Sequence, residues 1–172
     1  MKPVAETMPD PAAEGVAALS ARLDAAAQTR LGRSLALFHV PTGGCGGCER
    51  ELVALEGVVY DLERFGLRFV TSPRRADVLL ATGPLTANLQ EALAQSYAAM
   101  AEPKWVVAIG DCAVDGGVFK GSYAVHGGVG VAVPVDLLVR GCPPPPMEIL
   151  SGLLSLLAAN GPRQVRPRRR LE

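Results

Sequence analysis

Apolar positions change rhythm several times along this chain, and each change predicts an element. From Val16 to Leu31 they recur at helical spacing (Val16, Leu19, Leu23, Ala26), after an alanine-rich arm broken by Pro3, Pro9 and Pro11. That predicts a short amphipathic helix behind a flexible arm. "SLALFHV" (34–40) is a short apolar, partly β-branched run ended by Pro41 and glycines, which reads as a buried strand. "CERELVALEGVVYDLERFG" then sets Leu52, Leu55, Val59 and Leu62 three and four residues apart and stops at Gly66. The spacing predicts one long helix with a single buried face and a glycine cap.

The alternation continues. "LRFV" is a brief strand, and "ADVLLATG" (76–83) a clear one. A helix is expected from Thr86 to about Met100, with Leu89, Leu93, Tyr97 and Met100 on one side. "KWVVAIG" (104–110) and "VPVDLLVRG" (133–141) are further strands, and "PPPPMEILSGLLSLLAANG" is a closing helix with prolines at its entry and Asn160–Gly161 at its exit. Nearly all-apolar strands alternating with helices imply a parallel sheet covered on both faces. With right-handed crossovers this is an α/β, doubly wound domain of the flavodoxin-like kind. The expected organisation is an N-terminal arm with its helix (1–32), the α/β domain (33–160) and a basic tail (161–172). Segment 113–132, "AVDGGVFKGSYAVHGGVGVA", is too glycine-rich for a stable helix and too long for an ordinary turn, which marks it as functional.

Composition narrows the classes. A chain of 172 residues, 49% apolar, can bury one good core. Lysine plus arginine equals aspartate plus glutamate at 17 each, so no net positive field recommends nucleic acid as a partner. Arg163, Arg166, Arg168, Arg169 and Arg170 form a polybasic end, read as a solvated tail or as a contact for anionic lipid or an acidic subunit. No window has the apolar length of a membrane span, and the first residues lack the apolar core of a secretory signal, so a cytosolic chain is expected. In that compartment the four cysteines are not expected to form disulfides.

Cys45 and Cys48 follow the strand ending at Val40, Cys112 the strand ending at Ile109, and Cys142 the strand ending at Arg140. Parallel strands end on one edge, where ligands bind, so three remote loops bring four thiols to one rim. Gly44, Gly110 and Gly141 beside them let the backbone approach closely. The cysteine pair opens a helix, whose positive end is expected to favour thiolate. Three chemistries compete. A thioredoxin-type dithiol accounts for only two of the cysteines. Structural zinc commonly uses two CxxC knuckles, whereas here the second pair is split. A cubane iron–sulfur cluster needs four thiolates around a larger object, which suits ligands from three loops.

The blocks "GGCGGCERE", "SPRRADVLLATGPLT", "GDCAVDGGVFKGSYAV" and "VPVDLLVRGCPPPP" resemble one family, in order, from about Ser34 to Leu157. It comprises the 20-kDa cluster-bearing subunit of respiratory complex I and the small subunits of [NiFe]-hydrogenases. The resemblance implies one [4Fe–4S] cluster on Cys45, Cys48, Cys112 and Cys142. Complex I proteins carry adjacent cysteines in the first block; this chain has CxxC followed by Glu49, as hydrogenase small subunits do. It is most similar to the short, single-cluster small subunits of membrane-bound, energy-converting hydrogenases and formate hydrogenlyase. The implied role is electron relay, without bond chemistry of its own, between a nickel–iron large subunit and a ferredoxin-like subunit. The implied location is peripheral, on the cytoplasmic face of the inner membrane, beside integral membrane subunits. A complex I-like transfer to quinone is the alternative.

Single residues carry paired readings. Glu49 fixes the cluster loop, joins a proton path, or compensates a helix dipole. Arg74 and Arg75 pair with a partner, with the cluster's negative charge, or with water. His39 reads as a satisfied strand histidine, His126 as an uninvolved loop histidine and Tyr123 as a packing residue.

Overall fold

The computed structural model describes residues 15–159. The N-terminal arm, the Asn160–Gly161 exit and the arginine tail lie outside the described residues. The described residues hold seven strands and five helices. They are α1 (Val16–Leu31), β1 (Ala36–Pro41), α2 (Gly47–Glu56), β2 (Arg68–Phe69), β3 (Val78–Thr82), β4 (Leu85–Thr86), α3 (Gln90–Ala99), β5 (Trp105–Ile109), α4 (Asp111–Asp115), β6 (Val125–Gly127), β7 (Leu137–Val139) and α5 (Pro146–Ala159). Five strands form one parallel sheet in the order β2-β1-β3-β5-β7. That is the flavodoxin-like order of a doubly wound fold. β4 and β6 make a small antiparallel pair beside it.

The period-2 alternation of the strands sorts the core into two layers. Val78 and Leu80 of β3, and Trp105, Val107 and Ile109 of β5, join Leu19, Leu23, Leu52, Leu55 and the leucines of α5. The intervening Leu79, Ala81, Val106 and Ala108 join Leu93, Met100, Ala113 and Val129 on the other face. Leu19, Leu23 and Ala27 of α1 are buried in the first layer. At about 1.5–3 kcal/mol for each fully buried leucine, α1 is a stabilising part of that layer.

The expected helix after the cysteine pair is cut short. α2 ends at Glu56, Gly57 is extended (φ −70°, ψ 164°), and only a 3-10 turn over Leu62–Phe65 follows, closed by Gly66 at φ 77°. Val59, expected on the buried face, is 80% exposed, while Leu62 is buried. Glycine followed by two β-branched valines is a poor helix interior, and no packing contact overrides it. α3 likewise begins at Gln90, because Leu85–Thr86 pair with β6 instead. Segment 113–132 is ordered by short pieces: the end of α4, two 3-10 turns and β6. No helix among the described residues is long and apolar enough to cross a membrane.

Candidate metal centre

β1, β5 and β7 deliver their cysteines at the carboxyl-terminal rim of the sheet, and all four thiols line one cavity of about 90 Å³. Cys45 and Cys142 are exposed, Cys48 is half-buried and Cys112 is buried. Gly44, Glu49, Asp111, Gly141 and Pro143 complete much of the wall. β3 lies between β1 and β5, so the first loop must reach about 10 Å across its end, two strand spacings. The contacts show how it does so.

The Thr42 N–H donates to Thr82 O (2.8 Å), and its buried hydroxyl lies 2.8 Å from the carbonyls of both Thr82 and Gly83. Thr86 donates back to Thr42 O through its N–H (3.1 Å) and its hydroxyl (2.9 Å). These bonds fasten the loop over the end of β3. There the backbones approach so closely that a Cβ on Gly83 would overlap the carbonyl oxygen of Gly43. The crossing ends at Gly110, after β5. A Cβ on Gly110 would lie 2.5 Å from Cys48 Sγ, and its backbone (φ 89°, ψ 153°) is one that only glycine adopts readily.

Asp111 joins the other two loops. Its N–H donates to Gly141 O (2.9 Å) and its Oδ1 accepts from Gly141 N–H (3.3 Å), drawing the Cys112 and Cys142 segments together. The exposed Arg140–Asp111 ion pair at 3.7 Å adds little beyond this. A backbone hydrogen bond from Val118 reaches Cys112.

Burial pushes Cys48 up to about 11, and the charges of Glu49 and the other three cysteines push the same way. Burial also raises Cys112, against the Val118 hydrogen bond and with help from Cys142, Cys45 and Asp111. The helix-end preference for thiolate expected at Cys48 is thus outweighed by desolvation and crowding of like charge. A ring of mutually repelling sulfurs fits a polynuclear cationic group that compensates them together. Among the described residues no three His, Cys, Asp or Glu side chains gather closely enough for one metal ion. Four thiols around one cavity are a donor set that an iron–sulfur cluster accepts.

The remaining expectations divide. Glu49 lines the cavity and accepts a hydrogen bond from the Thr82 hydroxyl (2.8 Å). His39 is bonded to that same hydroxyl (2.8 Å) and is satisfied, as expected. His126 is exposed. Tyr123 is fully exposed, so it packs against nothing in this chain. Arg74 and Arg75 sit in the turn entering β3, at the amino-terminal rim, and so do not serve the thiol site. Sequence reasoning missed Thr42, Thr82, Gly83 and Asp111. The signal for Asp111 was its place directly before Cys112; the threonines gave none.

A family profile described as NADH ubiquinone oxidoreductase, 20 Kd subunit, matches residues 45–156. An uncharacterized protein of Methanocaldococcus jannaschii is 47% identical over 124 residues, 72% of this chain and 83% of that protein. A probable membrane-bound hydrogenase subunit of Pyrococcus furiosus is 44% identical over 127 residues, 74% of this chain and 76% of its own length. Formate hydrogenlyase subunit 7 of Escherichia coli is 38% identical over 144 residues, 84% of this chain but 55% of its own length. Among solved structures, a chain of the archaeal membrane-bound sulfane sulfur reductase superposes with a TM-score of 0.65 at 30% identity, over 80% of this chain and 74% of that one. A chain of an NAD⁺-reducing [NiFe]-hydrogenase superposes with a TM-score of 0.58 at 20% identity, over 78% of this chain and 97% of that one, a likeness of fold.

Proposed function

The chain belongs to the family of the 20-kDa subunit of NADH ubiquinone oxidoreductase, and from that premise we propose that it is the electron-transfer small subunit of a [NiFe]-hydrogenase-type complex. Cys45, Cys48, Cys112 and Cys142 hold one [4Fe–4S] cluster, which when bound supplies a one-electron carrier. The observation that supports this reading is that four thiols from three loops line a single cavity. The chain's own residues position and tune. Thr42 holds the first loop across β3, Asp111 holds the second and third loops together, and Gly110 leaves room for the Cys48 thiol. Glu49 and Asp111 add negative charge to the wall, which disfavours the reduced state, while the Val118 amide favours it.

In this reading the exposed rim, including Val118 and Tyr123, packs against the large subunit that carries the nickel–iron site. A ferredoxin-like iron–sulfur subunit exchanges electrons with the cluster, and integral membrane subunits anchor the assembly at the cytoplasmic face. The names of the Pyrococcus and Escherichia relatives support hydrogen as the terminal partner. The description of the family supports a second reading, transfer to quinone.

Anaerobic purification tests the cluster: about four irons and four sulfides per chain, with an electron paramagnetic resonance signal on reduction, are expected. A colourless chain with one tightly held zinc refutes it. Copurification with a nickel-containing subunit and hydrogen-dependent dye reduction select hydrogenase over quinone reductase.

A further inference from the structure

We propose that Asp115 is a positioning residue for the cluster site: its carboxylate fixes the Gly116–Gly117 turn so that the Val118 amide stays aimed at Cys112 Sγ, and loss of that hold makes the cluster harder to reduce. The inference rests on the cluster reading above and deepens it, naming a residue outside the lining of the thiol cavity that acts on the site through another residue's backbone.

α4 ends at Asp115, and the chain turns back through two glycines, Gly116 at φ 97° and ψ −15° and Gly117 at φ 50°. Both lie in the left-handed region, which glycine enters without a steric penalty but also leaves easily. The turn lies directly against Cys112: a Cβ on Gly117 would stand 2.8 Å from Cys112 Sγ and 3.1 Å from Cys112 N and Cα. Gly116 N–H donates to Cys112 O at 2.9 Å, which fixes the first glycine. A side chain fixes the second, because Gly117 N–H donates to Asp115 Oδ1 at 3.0 Å. This is an Asx turn, in which a carboxylate takes the amide two residues on. The next amide along, that of Val118, is the one that bonds Cys112. Asp115 thus holds the peptide immediately before the one that reaches the sulfur.

An N–H aimed at a ligand sulfur stabilises added negative charge, so it favours the reduced cluster. The electron comes from the ferredoxin-like iron–sulfur donor; no bond in this chain forms or breaks. Asp115's own charge acts in the opposite direction and disfavours reduction. Its side chain is 47% exposed, however, so water and salt screen it. Lys120, with Nζ 3.9 Å from Asp115 Oδ2, offsets part of what remains. One residue therefore has two effects of opposite sign, and a variant that keeps the acceptor oxygen without the charge separates them.

The test compares Asp115→Asn, which keeps an acceptor for Gly117 N–H, with Asp115→Ala, which has none; neither carries the charge. In the intact complex, electron paramagnetic resonance reads the reduced-to-oxidised ratio of the cluster at fixed ambient potential. Asp115→Ala is expected about tenfold below Asp115→Asn, which is 59 mV for one electron, with Asp115→Asn at or slightly above the wild type. In the metal-free chain, amide hydrogen exchange followed by nuclear magnetic resonance reads the turn itself. Val118 N–H should exchange about tenfold faster in Asp115→Ala than in the wild type, and at the wild-type rate in Asp115→Asn, with the amides of β5 unchanged. Equal ratios in the two variants overturn the inference, as does unchanged Val118 exchange in Asp115→Ala; the cluster reading survives both. Loss of iron from Asp115→Ala assigns the residue a purely structural role and also overturns it. A wild-type chain without an iron–sulfur cluster removes the proposed function and this inference together.

Discussion

Replacing Gly110 by alanine tests the geometry on which the thiol site depends. The backbone there has φ 89° and ψ 153°, a region that costs a non-glycine residue roughly 1–3 kcal/mol. The new methyl would also meet Cys48 Sγ at 2.5 Å, well inside an ordinary contact of about 3.5–4.0 Å. Cys48 lies in the first turn of α2, whose Leu52 and Leu55 are buried, so the thiol has no easy retreat. Together the two effects predict a loss of about 3 kcal/mol or more, roughly two orders of magnitude in the folded-to-unfolded ratio. Gly46→Ala is the matched control. Its φ of 77° and ψ of 7° are left-handed, yet nothing lies within 4 Å of its Cβ, so its cost is only the backbone's, about 1–2 kcal/mol. Urea denaturation of the purified chains measures the difference, and iron per chain measures the site: Gly110→Ala should lose most of its iron and Gly46→Ala little. Equal stability losses, or full iron content in Gly110→Ala, would refute the placement of the Cys48 thiol against the end of β5.

On the proposed function, Cys112→Ser should lose or degrade the cluster and cripple turnover of the complex; iron analysis and hydrogen-dependent dye reduction both report it. In the metal-free chain Cys48 is pushed up to about 11, so its alkylation should stay slow at neutral pH and accelerate only as pH approaches that value, as followed by mass spectrometry. The same shift has a stability sign. The folded chain holds the Cys48 proton more tightly than the unfolded one, so that contribution is complete below about pH 8.5, the ordinary thiol value, and is lost towards pH 11. Arg33→Ala removes the bidentate partner (2.6 and 2.8 Å) of the buried Asp77 carboxylate, at an expected cost of about 1.5–3 kcal/mol in urea denaturation.

Much of the fold is legible because buried parallel strands write themselves as unbroken apolar runs. "ADVLLATG" and "KWVVAIG" cannot alternate with polar residues when both sheet faces are covered, and each proves to be a central strand. The cysteine loops are legible for a related reason: a parallel sheet puts the ends of β1, β5 and β7 on one rim whatever the loops contain. What escaped is set by register and crossing. Val59 keeps the helical spacing of Leu52 and Leu55, but periodicity does not register that Gly57 breaks the backbone between them. His39, Thr82 and Glu49 are 33 to 43 residues apart in pairs that bond. Only the pairing of β1 with β3, which sets Pro41 opposite Thr82, brings them together.

That pairing also explains why the cysteines are spaced unevenly. β1 and β5 are not neighbours; β3 separates them and contributes no thiol. A cysteine at the end of β3 would occupy the place where the Gly43 and Gly83 backbones touch, and the first loop could not pass. The crossing therefore needs a residue without a side chain on β3, and a loop from β1 that carries two thiols. One of those thiols reaches the end of β5 at Gly110, and the other remains on the exposed rim. Threonine at 42 fits the same requirement. It is small enough to be buried under the crossing and has a hydroxyl to fasten the loop to the carbonyls of Thr82 and Gly83. The CxxC spacing, the glycine after β3 and the threonine before the loop are thus three parts of one solution to bridging a strand that brings no thiol.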